Sequence, residues 1–463
     1  MDINIKRKFI GDKKFYKLLL MIALPIVLQQ FITQLVGLLD NIMVGRIGND
    51  EMIGVSLANQ LLFISNLAIF GSLSGASIFA TQYFGAQDKE GYQETFRFKW
   101  LIVTLIVVIF GLFFFFFKEP LISAFISTTE EEYSNASAVL SSGTLYLELM
   151  LLGIFPFAIK EIYATSLREM KETMVPMISG VIAIFVNLFL NYVLIFGYLG
   201  FPKLGVTGAA IATIVSRFVE MFIVVFYSHL KHQKFPFLVG VYKRIIVRFS
   251  SVKKFILKTL LLLSNETLWS IGLTMIMKAY SVRGLDVVGA LNIANTVNNV
   301  FIVVGTALGA STAIILGNLI GASEYDKAHE ASYKILFSSI VFTLMFSLFE
   351  VGVGFIVPSI YNTSEAIKER AIILIIICSI YRVFNSFNTC AYFTLRAGGK
   401  IFLTMLFDSI FIWTVRVPVA FLLAYLTKMP IIWLYVIVEG LEASKAIAGY
   451  ILVDKGIWLE KII

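Results

Sequence analysis

Long apolar segments separated by short polar loops fill almost the whole chain. Each segment is about as long as the roughly 20-residue helix that crosses the hydrocarbon core of a bilayer. Glycine, proline and charged residues mark the segment ends, as they do at helix termini. The pattern predicts twelve transmembrane helices, over residues 16–43, 52–82, 100–117, 138–160, 174–197, 206–229, 255–280, 287–316, 335–357, 366–394, 402–426 and 430–453.

The longest hydrophilic stretch, residues 229–258, leaves six predicted helices on either side of it. The predicted domains are therefore an N-terminal six-helix lobe over residues 1–229, a cytoplasmic linker over residues 230–254 and a C-terminal six-helix lobe over residues 255–463. Since each lobe holds an even number of helices, both lobes enter the membrane in the same direction.

Short motifs recur in the two predicted lobes. A Gly-Ala pair with a nearby acidic residue and lysine follows the second helix, at residues 85–89, and follows the eighth helix, at residues 321–327. Upstream, GSLSGAS at residues 71–77 is matched by GTALGAST at residues 305–312. The repeats predict two pseudo-symmetric lobes related by an axis along the membrane normal. The Gly-x-x-x-Gly spacing in both upstream motifs favours close helix packing.

Composition supports membrane insertion and supplies an orientation. The chain is 58% hydrophobic and 15% charged, with a mean hydropathy of +0.86, whereas a soluble protein carries about 25% charged residues. Most of the 38 lysines and arginines fall in loops on one side, which places those loops and both termini in the cytoplasm. Because these cations line one membrane face, the net charge of +8 does not indicate nucleic acid binding. Richness in Ile, Lys, Phe and Asn is typical of an AT-rich bacterium, so we expect a bacterial cytoplasmic membrane.

Two acidic residues lie far inside predicted helices. Asp40 follows a long apolar run in the first helix, and Glu266 lies near the middle of the seventh. Because an acid costs a few kcal/mol at mid-membrane, it normally faces protein or water rather than lipid. Asn187 and Asn191, four residues apart in the fifth helix, share one helix face. At a rise of about 1.5 Å per residue, these amides and Asp40 fall in the outer half of the membrane and could line one pocket.

Further polar residues within the helices could face a substrate cavity. We assign to this set Gln34, Asn59, Asn66, Asn292, Asn295, Asn299, Arg382, Asn385 and Asp408. Amide stripes also hydrogen-bond neighbouring helices, so packing stays an open alternative for the stripes in the second half.

Other charges within the helices have structural interpretations. Arg217 and Glu220 are three residues apart and are expected to pair with each other. Glu148 and Glu350 lie toward the outer ends of their helices, where they could reach interfacial water. One face of the last helix carries a predicted structural network of three charges: Glu439, Glu442 and Lys445.

Several of these residues stand in motifs that resemble the multidrug and toxic compound extrusion (MATE) family of cation-coupled exporters. The matching motifs are Leu24-Pro25 with Asp40 and Val44-Gly45, then Asn187-x-x-x-Asn191-Tyr192, and Asn265-Glu266-Thr267-Leu268-Trp269. The resemblance covers essentially the whole chain, in order, with the right helix count and the long central loop. It implies two six-helix lobes around a V-shaped cavity that alternates between the membrane faces. It also implies exchange of amphipathic, often cationic drugs for inward Na⁺ or H⁺.

The resemblance also assigns roles to individual residues. Asp40 matches the first-helix acid that binds a cation or proton, and Asn187 matches an amide of the same site. Asn191 stands where some relatives have a second acid, which weakens the case for a Na⁺ site of the two-acid kind. Glu266 resembles the seventh-helix acid implicated in cation coupling, so a Na⁺ ion is expected, if anywhere, at Asp40 or Glu266. Asp408 has no equally firm counterpart and is included on its location alone. No cofactor is expected besides the coupling ion, H⁺ or Na⁺.

Three other classes of membrane protein are alternatives to an exporter: a flippase, an enzyme and a channel. A lipid-linked oligosaccharide or lipid flippase of the same broad superfamily is expected to have a strongly basic cavity, whereas acids outnumber the three arginines within the helices. An enzyme is disfavoured because His229, His232 and His329 lie in or beside loops and no metalloprotease or paired intramembrane aspartate motif is present. A channel does not require coupling acids in both lobes. The expected partners are small amphipathic substrates and membrane lipids, with no nucleic acid, and the expected state is a monomer.

Overall fold

The computed structural model describes residues 9–125, 133–243, 247–361 and 363–463, without the side chains of residues 36, 38–42, 45, 49, 133–135, 236 and 285. The described part contains twelve long helices and no β-strand. Eleven of the helices are long and apolar enough to cross a membrane. The twelfth carries the three charges Glu439, Glu442 and Lys445 along its length. The prediction of an all-α membrane fold is therefore confirmed.

The helices follow the predicted order along the chain. They are α1 (Lys13–Gly45), α2 (Asn49–Gly85), α3 (Lys89–Ser123), α4 (Tyr133–Glu169), α5 (Met174–Phe196), α6 (Val206–Leu230), α7 (Phe249–Ser281), α8 (segments Leu285–Phe301 and Val303–Gly321), α9 (Tyr325–Ile360), α10 (Glu365–Ala397), α11 (segments Ile401–Met405, Leu406–Ile410, Ile412–Arg416 and Val417–Leu426) and α12 (Ile431–Asp454).

Two helices depart from regular α geometry, which hydropathy alone does not predict. α8 is divided at Ile302. α11 contains two π-helical segments, Leu406–Ile410 and Ile412–Arg416, on either side of Phe411. A π turn is wider than an α turn, is rare, and occurs frequently at functional sites. Asp408 lies within the first of these two segments.

The chain forms two compact units, each built from more than one stretch of sequence. The N-terminal unit comprises Leu28–Ala80 and Lys89–Thr259, and within it α4 packs against α3 and α6, and α6 packs against α5. The C-terminal unit comprises Met1–Val27, Thr81–Asp88 and Leu260–Ile463, and within it α10 packs against α8, α9 and α12. The lobe boundaries derived from the sequence stay a prediction.

Two clusters of buried apolar side chains fill the C-terminal unit. One includes Leu19 of α1 together with Leu316 of α8 and Leu336 of α9. The other joins α7, α8, α10, α11 and α12 and includes Leu291 and Leu374. Burial of such side chains stabilises the unit.

The repeated Gly-Ala motifs of the sequence meet in the C-terminal unit. A Cβ atom built on Gly85 would overlap the backbone carbonyl of Asn318 in α8, and one built on Gly321 would overlap the backbone carbonyl of Gln82 in α2. Equivalent glycines in the two copies therefore let the ends of α2 and α8 approach each other closely. The side chain of Gln82 is itself fixed, because its Nε2 donates to the carbonyl oxygen of Ala397 at 2.9 Å.

Gly321→Ala should lower the stability of the folded protein by about 1–3 kcal/mol, because the added methyl group forces the two backbones apart. Thermal unfolding in detergent, followed by the loss of monodisperse protein, measures the change. Gly352→Ala is the matched control, since a Cβ there meets no atom within 4 Å. Equal melting temperatures for the two variants would show that the close approach of α2 and α8 does not matter for stability.

The hydrophilic stretch between α6 and α7 is packed onto the N-terminal unit. The side chains of Phe235 and Phe237 are buried. At the end of the stretch, the Arg248 guanidinium donates to both carboxylate oxygens of Glu94 in α3, each at 3.0 Å. Two buried aromatic rings and a bidentate ion pair thus fix a segment that its overall polarity would leave in solvent.

Candidate ion and substrate sites

The two asparagines predicted for an ion site lie together in the N-terminal unit. Asn191 Nδ2 donates to Asn187 Oδ1 at 3.1 Å, and Asn187 Nδ2 donates to Thr213 Oγ1 of α6 at 3.3 Å. Both asparagines are buried, at 6% and 2% exposure. α1 carries Asp40, but the Asp40 side chain lies outside the described residues. Its role beside these amides therefore stays a prediction.

The predicted acid of the C-terminal unit, Glu266 in α7, lies in a polar niche built by α10. The Tyr392 hydroxyl donates to Glu266 Oε1 at 3.2 Å and accepts a hydrogen bond from Asn265 Nδ2 at 3.2 Å. Arg396 Nη1 lies 3.8 Å from the same carboxylate oxygen. The Glu266 side chain keeps 18% exposure. A carboxylate that is oriented by a hydroxyl, close to a cation and partly accessible can exchange one bound cation or proton for another.

Asp408 pairs with a lysine of the last helix. Lys445 Nζ of α12 donates to Asp408 Oδ1 at 2.8 Å. The next residue, Ser409, donates to the carbonyl oxygen of Asn265 at 2.7 Å and to its Oδ1 at 2.6 Å. These bonds hold the π-helical part of α11 directly beside the residue that precedes Glu266. Asp408 thus belongs to the same polar region as Glu266, and its predicted role in a substrate cavity stays a prediction.

The predicted charge network of the last helix is present and extends to α10 and α11. Arg416 donates through Nη1 to Glu442 at 2.8 Å and through Nη2 to Glu439 at 2.7 Å. Asn388 Nδ2 adds a bond to Glu442 Oε2 at 2.6 Å. Lys445, the third member predicted, instead pairs with Asp408. Since each of these charged side chains has an opposite charge as partner, the network offsets much of the cost of burying them.

Arg382, predicted to line a substrate cavity, forms a buried ion pair across helices. Its Nε donates to Glu350 Oε2 of α9 at 2.6 Å, its Nη2 donates to the other carboxylate oxygen, and Nη2 also donates to Asn298 Oδ1 of α8 at 2.7 Å. The Glu350 side chain has 0% exposure. The expectation that Glu350 reaches interfacial water is therefore wrong, whereas Glu148 is half exposed and pairs with Lys118.

The remaining residues predicted for the substrate cavity differ in burial. Four lie exposed on their helices: Gln34, Asn59, Asn292 and Asn299. Three are partly buried: Asn66, Asn295 and Asn385. Asn292 also lines a cleft of about 250 Å³ with Thr296, Tyr361 and Ile367. This volume lies below the range of about 300–1,000 Å³ for drug-sized sites, and the assignment of these residues to a cavity stays a prediction.

The sequence does not predict the charged cluster that joins α4 and α6 in the N-terminal unit. Lys160 pairs with Glu161, and its Nζ lies 3.5 Å from Glu220 Oε1. Arg217 Nη1 donates to the carbonyl oxygen of Gly153 at 3.0 Å. The expected pair of Arg217 with Glu220 is therefore corrected, because Glu220 has its close ion-pair partner on α4.

The long apolar helices define a multi-pass membrane protein. A family model described as MatE matches residues 25–193 and 261–422. The chain therefore belongs to the MatE family, which confirms the resemblance seen in the sequence.

Individual relatives agree with this assignment. The chain is 26% identical over 414 residues to the probable multidrug resistance protein NorM of Thermotoga maritima, covering 88% of this chain and 85% of that protein. A Vibrio cholerae MATE transporter has a TM-score of 0.85 at 16% identity, with 97% of this chain and 98% of that chain covered. A transporter from Pyrococcus furiosus, whose binding pocket is described as reversed in polarity, has a TM-score of 0.84 at 17% identity, with 100% and 99% covered. At these identities the two solved structures show the fold alone.

Proposed function

We propose that the protein is a secondary active antiporter that exports amphipathic, cationic drugs or toxic organic compounds in exchange for inward H⁺ or Na⁺ by alternating access. The observation that carries the proposal is the niche of Glu266, an acid inside an apolar helix that is oriented by Tyr392 and partly accessible. The relation to a protein named for probable multidrug resistance supports the substrate class. The predicted site of Asp40, Asn187 and Asn191 is the counterpart in the N-terminal half.

The exchange follows from the chemistry of a buried acid. A bare carboxylate away from water is costly, so it holds a proton, a metal cation or an organic cation. When the coupling ion and the substrate compete for one acid, arrival of one favours release of the other. Exchange then requires only that the empty, charged carrier rarely changes the face to which it opens. Aromatic side chains, with 42 phenylalanines and 19 tyrosines in the chain, supply apolar contacts that tolerate varied substrates.

The setting of the proposed activity is a bacterial cytoplasmic membrane, with both termini in the cytoplasm. The charge bias of the loops supports this orientation. We propose a monomer that acts on small amphipathic molecules within membrane lipids, uses no cofactor besides its coupling ion and binds no nucleic acid.

A second candidate is a flippase for a lipid or a lipid-linked oligosaccharide. The observation in its favour is the N-terminal cluster, where the three cations Lys160, Arg168 and Arg217 lie with the two acids Glu161 and Glu220. An excess of positive charge would suit an anionic headgroup. In the C-terminal unit, however, every cation of the α10–α12 network has an acid beside it, which leaves no comparable excess.

Reconstituted liposomes separate the two candidates. Ethidium is loaded inside liposomes that carry the purified protein, and a proton gradient or a sodium gradient is imposed in separate experiments. The antiporter predicts ethidium efflux that depends on one of these gradients and stops when it is collapsed. A fluorescent phospholipid in the same liposomes tests the flippase, because accelerated lipid exchange without ethidium efflux would overturn the antiporter.

A further inference from the structure

Lys445 is a buried lysine with the surroundings of a bound cation. Its side chain has 7% exposure and its ammonium donates to Asp408 Oδ1 at 2.8 Å. The same ammonium lies 5.0 Å from the ring centroid of Phe407 and 5.9 Å from that of Phe411. A carboxylate and two aromatic faces within about 6 Å form a pocket that attracts a positive charge.

The π-helical geometry of α11 assembles this pocket. Phe407 and Asp408 lie in the segment Leu406–Ile410, and Phe411 follows it directly. On the far side, the Trp413 indole donates to the carbonyl oxygen of Leu268 at 2.9 Å, so α11 is fastened to α7 on both sides of Glu266. The cation pocket at Asp408 therefore has a fixed position beside the acid of the proposed function.

The charges that face the pocket come from three helices. Glu442 of α12 and Asp408 of α11 attract Lys445, and Arg416 of α11 repels it. Glu266 of α7 lies within electrostatic reach of Asp408. Without the lysine ammonium, Asp408 would be a partly buried carboxylate that lacks its ion-pair partner, and removing one partner of such a pair is unfavourable.

We propose that Lys445 is a tethered cation that fills the cation position at Asp408, so that no Na⁺ ion binds there. The relevance of this exclusion to transport rests on the proposed function. A hard cation such as Na⁺ needs the carboxylate oxygen that the lysine ammonium now occupies. The residue that excludes Na⁺ from Asp408 would then be on α12, whereas Asp408 itself is on α11.

Equilibrium binding of radioactive sodium to the purified protein in detergent tests the proposal. Lys445→Met should bind one more sodium ion per chain than the wild type at alkaline pH, and adding Asp408→Asn to that variant should remove the gain. In the wild-type background, Asp408→Asn should leave sodium binding unchanged, because the lysine already excludes the ion. Lys445→Gln provides a second neutral variant, and Lys445→Arg, which keeps the charge, should bind no additional sodium.

Two results would overturn the proposal. One is a loss of sodium binding on Asp408→Asn in the otherwise wild-type protein, which would place an ion at Asp408 beside the lysine. The other is sodium binding of both neutral variants at the wild-type level, with elution profile and melting behaviour intact. Since binding is measured without transport, neither result bears on whether the protein exchanges drugs for ions. Conversely, if the liposome assay shows no ethidium efflux, the sodium-binding measurement still tests whether Lys445 excludes Na⁺ from Asp408.

Discussion

Replacing Asp40 by asparagine should reduce ethidium efflux from reconstituted liposomes to the level of protein-free liposomes. The amide has nearly the shape of the carboxylate but can neither take up a proton nor carry the charge for which ion and substrate compete. Because an asparagine is less costly than an acid inside a helix of the membrane, the variant should be as stable as the wild type. Initial efflux rates under the driving ion gradient measure the effect.

Asp326→Asn is the matched control for the loss of one carboxylate. Asp326 lies exposed in the first turn of α9, outside any predicted site. It should transport at the wild-type rate. Full drug efflux by Asp40→Asn, at equal amounts of folded protein, would remove Asp40 from the mechanism and leave the N-terminal half without a coupling acid.

Arg382→Met should destabilise the protein by about 3–5 kcal/mol, the typical cost of breaking a buried pair and leaving one charge uncompensated. The charge left behind is that of Glu350, which has no exposure to solvent. Thermal unfolding in detergent should show a large fall in melting temperature. Replacing both partners, as in Arg382→Met with Glu350→Met, should restore much of the loss because no charge stays buried.

Lys368→Met serves as the control for this pair. Lys368 lies 2.8 Å from Glu365, whose side chain is 80% exposed, and an exposed pair contributes only about 0–1 kcal/mol. If Arg382→Met and Lys368→Met unfold at the same temperature, the buried pair is not the stabilising contact that the structure indicates. The stable double variant has a second use, since wild-type efflux from it would contradict the prediction that Arg382 lines the substrate cavity.

The helices could be predicted from the sequence because each one is marked by its own run of apolar residues. An uninterrupted apolar run can be recognised without knowing which helices pack against it. Among the described residues, eleven of the twelve long helices are long and apolar enough to cross a membrane. The π-helical segments of α11 could not be predicted this way, since a π turn and an α turn have the same hydropathy. The close approach of Gly85 and Gly321 to facing backbones explains why the repeated motif needs glycine, which the repeat alone did not show.

Spacing along one helix did not identify the charge partners. Spacing along α6 suggested Arg217 with Glu220, yet the close partner of Glu220 is Lys160 on a different helix. Glu350 appeared close to the membrane surface, but Arg382, on the next helix, pairs with it in the interior. A sequence gives the separation of residues along one helix and gives no direct measure of which faces of two helices meet.

The acids of the candidate site were easier to select than the residues around them. Glu266 stands out because it is a lone acid within a long apolar run. Tyr392 and Arg396, which contact its carboxylate, lie near the end of α10, and their positions in the sequence do not indicate that they face Glu266. The sequence predicts that Lys445 belongs to a network within its own helix, and only the structure brings it to Asp408.

Substrate-driven ion movement is the most direct test of the exchange itself. Liposomes containing the protein and an entrapped pH indicator start with equal proton and sodium concentrations on both sides, and an ethidium gradient is then imposed. Exchange predicts that ethidium moving down its gradient drives protons the opposite way, uphill, and that Asp40→Asn and Glu266→Gln abolish this movement; a sodium indicator replaces the pH indicator to test for sodium. Ethidium that crosses the membrane through the protein while both ions stay at their starting levels would contradict the account.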